Sequence, residues 1–446
     1  MKSLKYLFFL IAFSATLASC DSLLDLEPAQ SISEELALEN DANIKAVLVG
    51  AYDELGATNL FAGNTLRNSE LLGANNEVQW VGTFNGPREI WNLNMIAENG
   101  DVQGLWVDCY QTINIANNVL AGLDVVNESD KAKVEGEALF IRAMVYFELV
   151  RFYAKPWVTG ASNDQLGVPL VLTPTRAIND DSKVARASVN AVYAQIISDL
   201  NQAKSLLPES NSWRADSYAA SAALARVYLQ QGDFAKARDE ASRVIASGRY
   251  SLMNDFADAF NRDSNSPEDI FSIQVTSQDG VNSMITFFAI PDFGGRDGDI
   301  DILDGHLSLY DPADERLSLF YEGNGAIRSG KWTNQFGNVA LFRLAELYLI
   351  RAECNARLGT SVGDTPLNDY NKIHQRAGLP AASSVTVDDI LYERRLELAH
   401  EGFKVHDLRR LKQSVQGQAF DADRTVFPIP GREINANPNL VQNPGY

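Results

Sequence analysis

Several short stretches of the chain carry residue types that could do chemistry. Gly359 to Gly363, GTSVG, has the G-x-S-x-G form of a nucleophile elbow. An elbow needs a strand before the serine and a helix after it. Here a helical pattern precedes Ser361 and a capped turn follows, so acyl transfer is not expected. Gly325 to Trp332, GAIRSGKW, comes close to a phosphate-binding loop. Trp332 stands where a hydroxyl would hold magnesium, and no apolar helix follows directly. His400, Glu401 and His406 in HEGFKVH imitate a zinc motif. Two ligands on one helix need i, i+4 spacing, and Gly402 intervenes. None of the three is expected to be an active site.

Two charged clusters are less easily set aside. Asp297, Asp299, Asp301 and Asp304 in RDGDIDILD alternate like calcium ligands. Calcium takes about six to eight oxygens, and crowded carboxylates repel without a cation. The glycine and distal glutamate of an EF-hand are absent. A solvated acidic loop is expected, with structural calcium at these four residues as the alternative and no other cofactor implied. A pair such as Asp299 and Asp304 also leaves a surface glycoside hydrolase as a competing reading. Arg394, Arg395, Arg409 and Arg410 form the basic cluster, and Glu393, Glu397, Glu401 and Asp407 interleave with them. This pattern predicts a salt-bridged helical hairpin rather than an anion site.

A third constellation is aromatic. NNEVQWVGTFNGPREIWNLN, from Asn75 to Asn94, mixes Trp80, Phe84 and Trp91 with Asn75, Asn76, Asn85, Arg88 and Asn92. Sugars present apolar C–H faces and hydroxyl rims, so a sugar site needs flat rings beside amides or charges. Glycines and Pro87 suit an exposed, shaped loop. Trp80 and Phe84 are expected to be exposed. For Trp91, followed by Leu93, exposure and burial are equally supported. Trp106 is expected in the core. Phe293, Arg296 and Asp297 in DFGGRDGDIDILDGHLSLY form a second candidate face.

These loops need a scaffold, and the scaffold reads as helical. EGEALFIRAMVYFELVRFY is apolar around most of its circumference, as a buried helix would be. SYAASAALARVYLQQGDFAKARDEASRVIAS reads as two helices broken at Gly232-Asp233, with the residue offsets of one tetratricopeptide repeat. LFRLAELYLIRAECNARLG reads as a further helix stopped at Gly359, and Thr365-Pro366 starts the next one. Thr386 to Asp389 is a capping box, with Gly402 closing its helix. Residues 57–100, 156–186 and 276–335 read as irregular, and IFSIQVT reads as a strand. The fold class is therefore mainly α, a tetratricopeptide-like helix-pair scaffold with long loops and little β. Long loops in a compact protein usually carry function.

The N-terminus sets the compartment. An apolar run from Tyr6 to Ala18 follows Lys2 and Lys5 and is shorter than the roughly 20 residues a spanning helix needs. It ends in Leu17-Ala18-Ser19-Cys20, which resembles the lipobox of bacterial lipoproteins, where the cysteine is acylated. Residues 1–19 then form a signal peptide, and Cys20 is a lipid anchor. No later stretch is long and apolar enough to span. Cys109 and Cys354 lie in helical contexts and are expected to be buried thiols rather than a disulfide. A net charge of −20 in 446 residues argues against nucleic acid as a partner.

Four blocks together resemble the SusD/RagB family of Bacteroidota surface lipoproteins. They are GEALFIRAMVYFELVRFYAKP with the following GVPLVL, LFRLAELYLIRAECNARLG, ERRLELAHEGFKVHDLRRL, and the tail FPIPGREINANPNLVQNPGY. The openings LDLEP and AVLVGAYDEL fit as well. His400 stands where the family usually has an aromatic, Lys404 replaces a usual arginine, and the chain is short for the family. Asp21 and Asp25 are compatible with export to the surface. The resemblance implies regions at 20–212, 213–275 (helix pair and strand) and 276–446. It also implies a non-catalytic lipoprotein, anchored in the outer membrane and facing outward. Such a protein captures oligosaccharide, or peptide as in the RagB branch, for a TonB-dependent SusC-type barrel.

Overall fold

The computed structural model describes residues 38–278 and 280–446. Cys20 and the signal segment lie outside the described residues. In chain order the elements begin with α1 (Asp41–Leu55), α2 (Asn64–Leu72), β1 (Val78–Trp80), α3 (Asn85–Trp91), α4 (Gly100–Ala121) and α5 (Glu128–Tyr153). Then come β2 (Leu166–Pro169), β3 (Arg186–Ser188), α6 (Val189–Leu206), α7 (Ser217–Gln231), α8 (Phe234–Ala246) and β4 (Asp269–Ile273). The next are α9 (Ser283–Phe288), β5 (Ile300–Ile302), α10 (Asp304–Leu307), β6 (Phe320–Gly323), β7 (Ala326–Ser329) and β8 (Val339–Arg343). The chain closes with α11 (Leu344–Leu358), α12 (Pro366–Arg376), α13 (Val387–Glu397), α14 (Lys404–Arg410) and α15 (Gly431–Ala436).

The long helices stack in sequence. α1 packs on α4, α4 on α5, α5 on α6, α6 on α7, α7 on α8, α8 on α11, and α11 on α12 and α13. This is the mainly α, helix-pair scaffold expected from the sequence. α5 shows why: from Gly136 to Tyr153 every residue is buried, so this stretch runs through the core with no solvent-facing side, its four charged residues Glu137, Arg142, Glu148 and Arg151 included. Gly232 ends α7 at φ +76, a left-handed position that glycine takes without steric cost, and Asp233 caps α8 by accepting from the Lys236 N–H. Thr365 caps α12 ahead of Pro366, and Thr386 and Asp389 form the capping box of α13, both as the sequence predicts. Cys109 and Cys354 are free, buried thiols.

Three boundaries differ from the sequence reading. The block beginning Leu341-Phe342-Arg343 opens as strand β8, which pairs antiparallel with β4, and only then becomes α11. α13 stops at Glu397 instead of running to Gly402, and His400 follows with φ +63. The segments read as irregular hold short elements: α2, β1 and α3 between residues 57 and 100, β2 between 156 and 186, and α9, β5, α10, β6 and β7 between 276 and 335. Short elements of this kind leave too few turns for a period to show.

The three-residue strand β1 is the edge of a four-stranded antiparallel sheet in the order β1-β5-β7-β6, with Val78 opposite Ile302, Gln79 opposite Asp301 and Trp80 opposite Ile300. Side chains alternate across a strand. Val78 and Trp80 therefore point inward with Ile300 and Ile302, while Gln79 and Asp301 are only half-buried.

Candidate functional site

The face built by β1, α3 and the loop after α14 carries an extended groove. Three hollows of about 540, 600 and 300 Å³ lie side by side along it. The first two share Asn75, Val78 and Ser414, and the last two share Trp91 and Gln416. Volumes of this size suit small-molecule ligands.

Two amides fix the walls. Asn75 sits at φ +44 just after α2, and both ends of its amide go to the loop opposite. Its Nδ2 donates to the Ser414 carbonyl at 2.9 Å, and its Oδ1 accepts from the Gln416 N–H at 2.5 Å. Gln416, itself left-handed at φ +48, reaches back beneath the groove. Its Nε2 donates to the carbonyls of Leu71 and Leu72 at 3.2 Å and of Trp91 at 2.8 Å. These are carbonyls at the C-terminal ends of α2 and α3, which have no partner within their own helices. Between the walls, the half-buried indole of Trp91 donates from Nε1 to the Val78 carbonyl at 3.2 Å, which fixes the ring. Asn76, Asn92 and Gln418 are exposed and Gln79 is half-buried, and their amides make no hydrogen bond among the described residues. The ring is held in place, and several donor and acceptor groups are free beside it.

The 540 Å³ end is charged but internally paired. Glu77 is buried and accepts from Arg395 and Lys404, and it meets His306 Nδ1 at 3.0 Å. Burial pushes its carboxyl up, but the hydrogen bond with His306 and the charges of Lys404 and Arg395 outweigh this and hold it at about 2. Asp407 takes Arg394 at 2.9 Å and Arg410 at 2.6 Å. Glu70 is buried with no ion pair among the described residues. Its Oε1 accepts from the Gly402 N–H at 2.9 Å, and burial pushes its carboxyl up to about 7.

The sequence-level candidates separate on this surface. Trp80 is 3 % exposed and packs on Phe287 at 5.8 Å between ring centroids, so the expected exposure is corrected. The alternation of β1 turns it inward, a pattern hidden when the segment is taken as a loop. Phe84 is 48 % exposed, as expected. Arg296 stacks over it at 4.0 Å from the ring centroid and donates to Thr83 Oγ1 at 2.6 Å. Phe293 is also exposed and meets Tyr321 edge-on. Phe84 and Arg296 thus form one stacked pair beyond the C-terminal end of β1, Phe293 packs separately on Tyr321, and none of the three lines the groove. Arg88 is exposed but braces the turn, donating to the Gly82 carbonyl at 2.6 Å. Asn75 is a wall brace, whereas Asn76 opens onto the groove. Trp106 is core.

The calcium candidates do not converge. Asp299 is buried beside Arg296, with 3.2 Å between Nε and Oδ2 but no hydrogen-bond alignment. Asp301 pairs with Arg328 at 2.5 Å, while Asp297 and Asp304 are exposed. Among the described residues no group of three or more His, Cys, Asp and Glu side chains is placed to hold a metal. Arginines already neutralise the two inner carboxylates, which removes the repulsion a cation would have relieved. Arg394, Arg395 and Arg410 are salt-bridged as predicted, to Asp407, Glu77 and Glu353, whereas Arg409 donates to the carbonyls of Arg151 and Thr425 with no ion pair among the described residues, and the hairpin's glutamates face elsewhere. Glu393, Glu397 and Glu401 pair with Arg316, Arg343 and Lys331. Sequence reasoning missed Gln79, Gln416 and Gln418. The alternation in Glu77-Val78-Gln79-Trp80 could have found Gln79, but nothing local marks Gln416 or Gln418.

The comparisons with known proteins follow the same architecture. Residues 22–229 match a SusD-like family described as starch-binding and associating with the outer membrane, and residues 324–424 match the SusD family. The chain belongs to the SusD/RagB family. It is 28 % identical to SusD-like protein P2 of Formosa agariphila over 99 % of this chain and 100 % of that one. It is 24 % identical to the starch-binding protein SusD of Bacteroides thetaiotaomicron over 72 % of this chain and 74 % of that one. A crystal structure of a SusD superfamily protein from Bacteroides thetaiotaomicron superposes with a TM-score of 0.82 at 25 % identity, covering 91 % of this chain and 100 % of that one. A laminarin-binding SusD-like protein superposes with a TM-score of 0.77 at 24 % identity, over 91 % of this chain and 100 % of that one, a likeness of fold. SusD-like proteins bind carbohydrate, and among the described residues no helix is long and apolar enough to cross a membrane.

Proposed function

We propose that this SusD-family protein captures oligosaccharide in the amide-lined groove without cleaving it. Anchored through Cys20 on the outward face of the outer membrane, it passes the ligand to a TonB-dependent SusC-type barrel. The observation that carries this reading is the pinned, half-exposed Trp91 ring among the unpartnered amides of Asn76, Gln79, Asn92 and Gln418. A ring offers a sugar's C–H face a stacking surface, and each free amide offers its hydroxyls both a donor and an acceptor. The family's description as starch-binding and the laminarin-binding structural neighbour support a glycan over a peptide.

Titration calorimetry with oligosaccharides tests the reading, with two tryptophans as contrasting variants. Trp91→Ala should weaken binding by about five- to tenfold, since a lost aromatic contact is worth roughly 1 kcal/mol and 1.4 kcal/mol is a factor of ten. Its melting temperature should change little. Trp80→Ala should instead destabilise the fold by about 3–5 kcal/mol, as large-to-small changes of a buried Trp do. Unchanged affinity in Trp91→Ala would remove the groove from consideration, and tight peptide binding with no glycan binding would replace the ligand class.

A further inference from the structure

We propose that the groove ends on a second sugar subsite built around Tyr392, so that the protein selects extended oligosaccharides over short ones. The inference rests on the glycan reading of the groove and adds a second stacking ring to it. Tyr392 lies in the 540 Å³ hollow, whose wall residues Asn75, Val78 and Ser414 also line the hollow that holds Trp91. The two hollows are neighbours across the Asn75–Ser414 hydrogen bond, so a chain that engages both rings lies across that bridge.

Three side chains on α13 build the subsite. Asp388, Tyr392 and Arg395 stand at i, i+4 and i+7, which places them on one helix face, and all three line the hollow. Tyr392 is 44 % exposed, yet its hydroxyl donates to the Leu309 carbonyl. The ring is therefore tethered at its tip while much of the residue remains open to solvent. Asp388 is exposed and forms no ion pair among the described residues. Arg395 is held by Glu77 at one nitrogen, with its side chain 39 % exposed. Leu391 and Leu398 supply apolar wall. A pyranose stacked on the Tyr392 ring would have a carboxylate on one side to accept from its hydroxyls and a guanidinium on the other to donate to them. Tyr392 and Arg395 are positioned before any ligand arrives, so little ordering entropy is lost at these two groups on binding.

The two rings act on one chain. A short oligosaccharide reaches the Trp91 end alone, whereas a longer one engages Tyr392 as an intramolecular second contact, which adds affinity without a second encounter. Titration calorimetry with oligosaccharide ladders of about two to eight units, neutral (malto- and laminari-) and acidic, tests this. The wild type should bind the long members more tightly than the short ones. Tyr392→Ala should lose about fivefold on the long members and nothing on the short, as one stacking contact of roughly 1 kcal/mol implies. Tyr392→Phe, which keeps the ring, should retain the long-chain advantage, and this separates a lost ring from a folding defect. Equal losses on short and long members, no loss on either, or a wild type indifferent to length would overturn the subsite and leave the groove reading standing. Binding of no member of any ladder would overturn both.

Discussion

Glu70 shows how much a single residue's surroundings decide. In the sequence it is one acid among many in an acidic chain, but in the fold it is buried at the groove's base and held by the Gly402 N–H. Burial raises its carboxyl from 4.5 to about 7, with the Lys404 charge and that N–H offsetting only part of the shift. A carboxyl raised by folding favours the folded state in its protonated form. Its contribution is fully present below the unfolded value of 4.5 and is lost as pH rises through about 7. Glu70→Gln stays neutral throughout. Its melting temperature should match the wild type near the acid end of that window and exceed it above neutrality, by the equivalent of roughly 3 kcal/mol. Thermal melts of both proteins across the window check this, and a difference independent of pH would show that Glu70 does not titrate there. The aromatic residues make the same point. Trp80 and Phe84 are four positions apart in one polar segment, and the pleat of β1 sends one to the core while the turn after it leaves the other in solvent.

At the scale of elements, the β8–α11 junction is tied to the α13–α14 hairpin by buried charge. Arg343, at the end of β8, donates to Glu268 at 2.5 Å and to Glu401 at 2.7 Å, and it lies 3.1 Å from Glu397. Arg376 on α12 meets Glu268 and Glu397 at 2.7 and 2.5 Å. Each of these groups is nearly free of solvent, so none is screened when its partner is removed. Arg343→Ala would leave three carboxylates short of a cation, and breaking a buried pair this way costs about 3–5 kcal/mol. Urea unfolding should show that loss as a lower midpoint. A change under 1 kcal/mol, the range of exposed pairs, would mean that Arg376 and Lys331 compensate. The hairpin also forms one wall of the groove, so stabilising it positions Arg394, Arg395 and Lys404 as well.

For the whole molecule, a helical scaffold carries the loop-built candidate face, and the attachment proposed for it is Cys20 in the Leu17-Ala18-Ser19-Cys20 motif. Several acyl chains on one cysteine anchor stably, whereas a single chain is marginal. Cys20→Ala should therefore release the protein from the outer-membrane fraction while leaving its oligosaccharide affinity unchanged. Fractionation and protease shaving of intact cells measure both the anchorage and the outward orientation. Wild type that is cleaved only after lysis would overturn the orientation.

The helices were legible in the sequence because they are long and capped. α5 declares burial through apolar residues around most of its circumference, Gly232 and Gly359 mark left-handed ends at φ +76 and +64, and Thr365-Pro366 and Thr386–Asp389 write their caps locally. Such signals lie within a turn or two of chain. The candidate groove is different, because its braces join residues more than 300 positions apart. Asn75 finds Ser414 and Gln416, and Gln416 returns to Leu71, Leu72 and Trp91. Hydrogen-bond complementarity across that separation leaves no periodicity in either segment, so only the tertiary structure could bring Trp91, Gln79 and Gln418 to one surface. The chain's local pattern determined a helical, loop-bearing protein, and the resemblance of its four sequence blocks pointed to the SusD type. Which amides became braces, which stayed free, and which rings faced water was decided by the pleat of a three-residue strand and the docking of a distant loop.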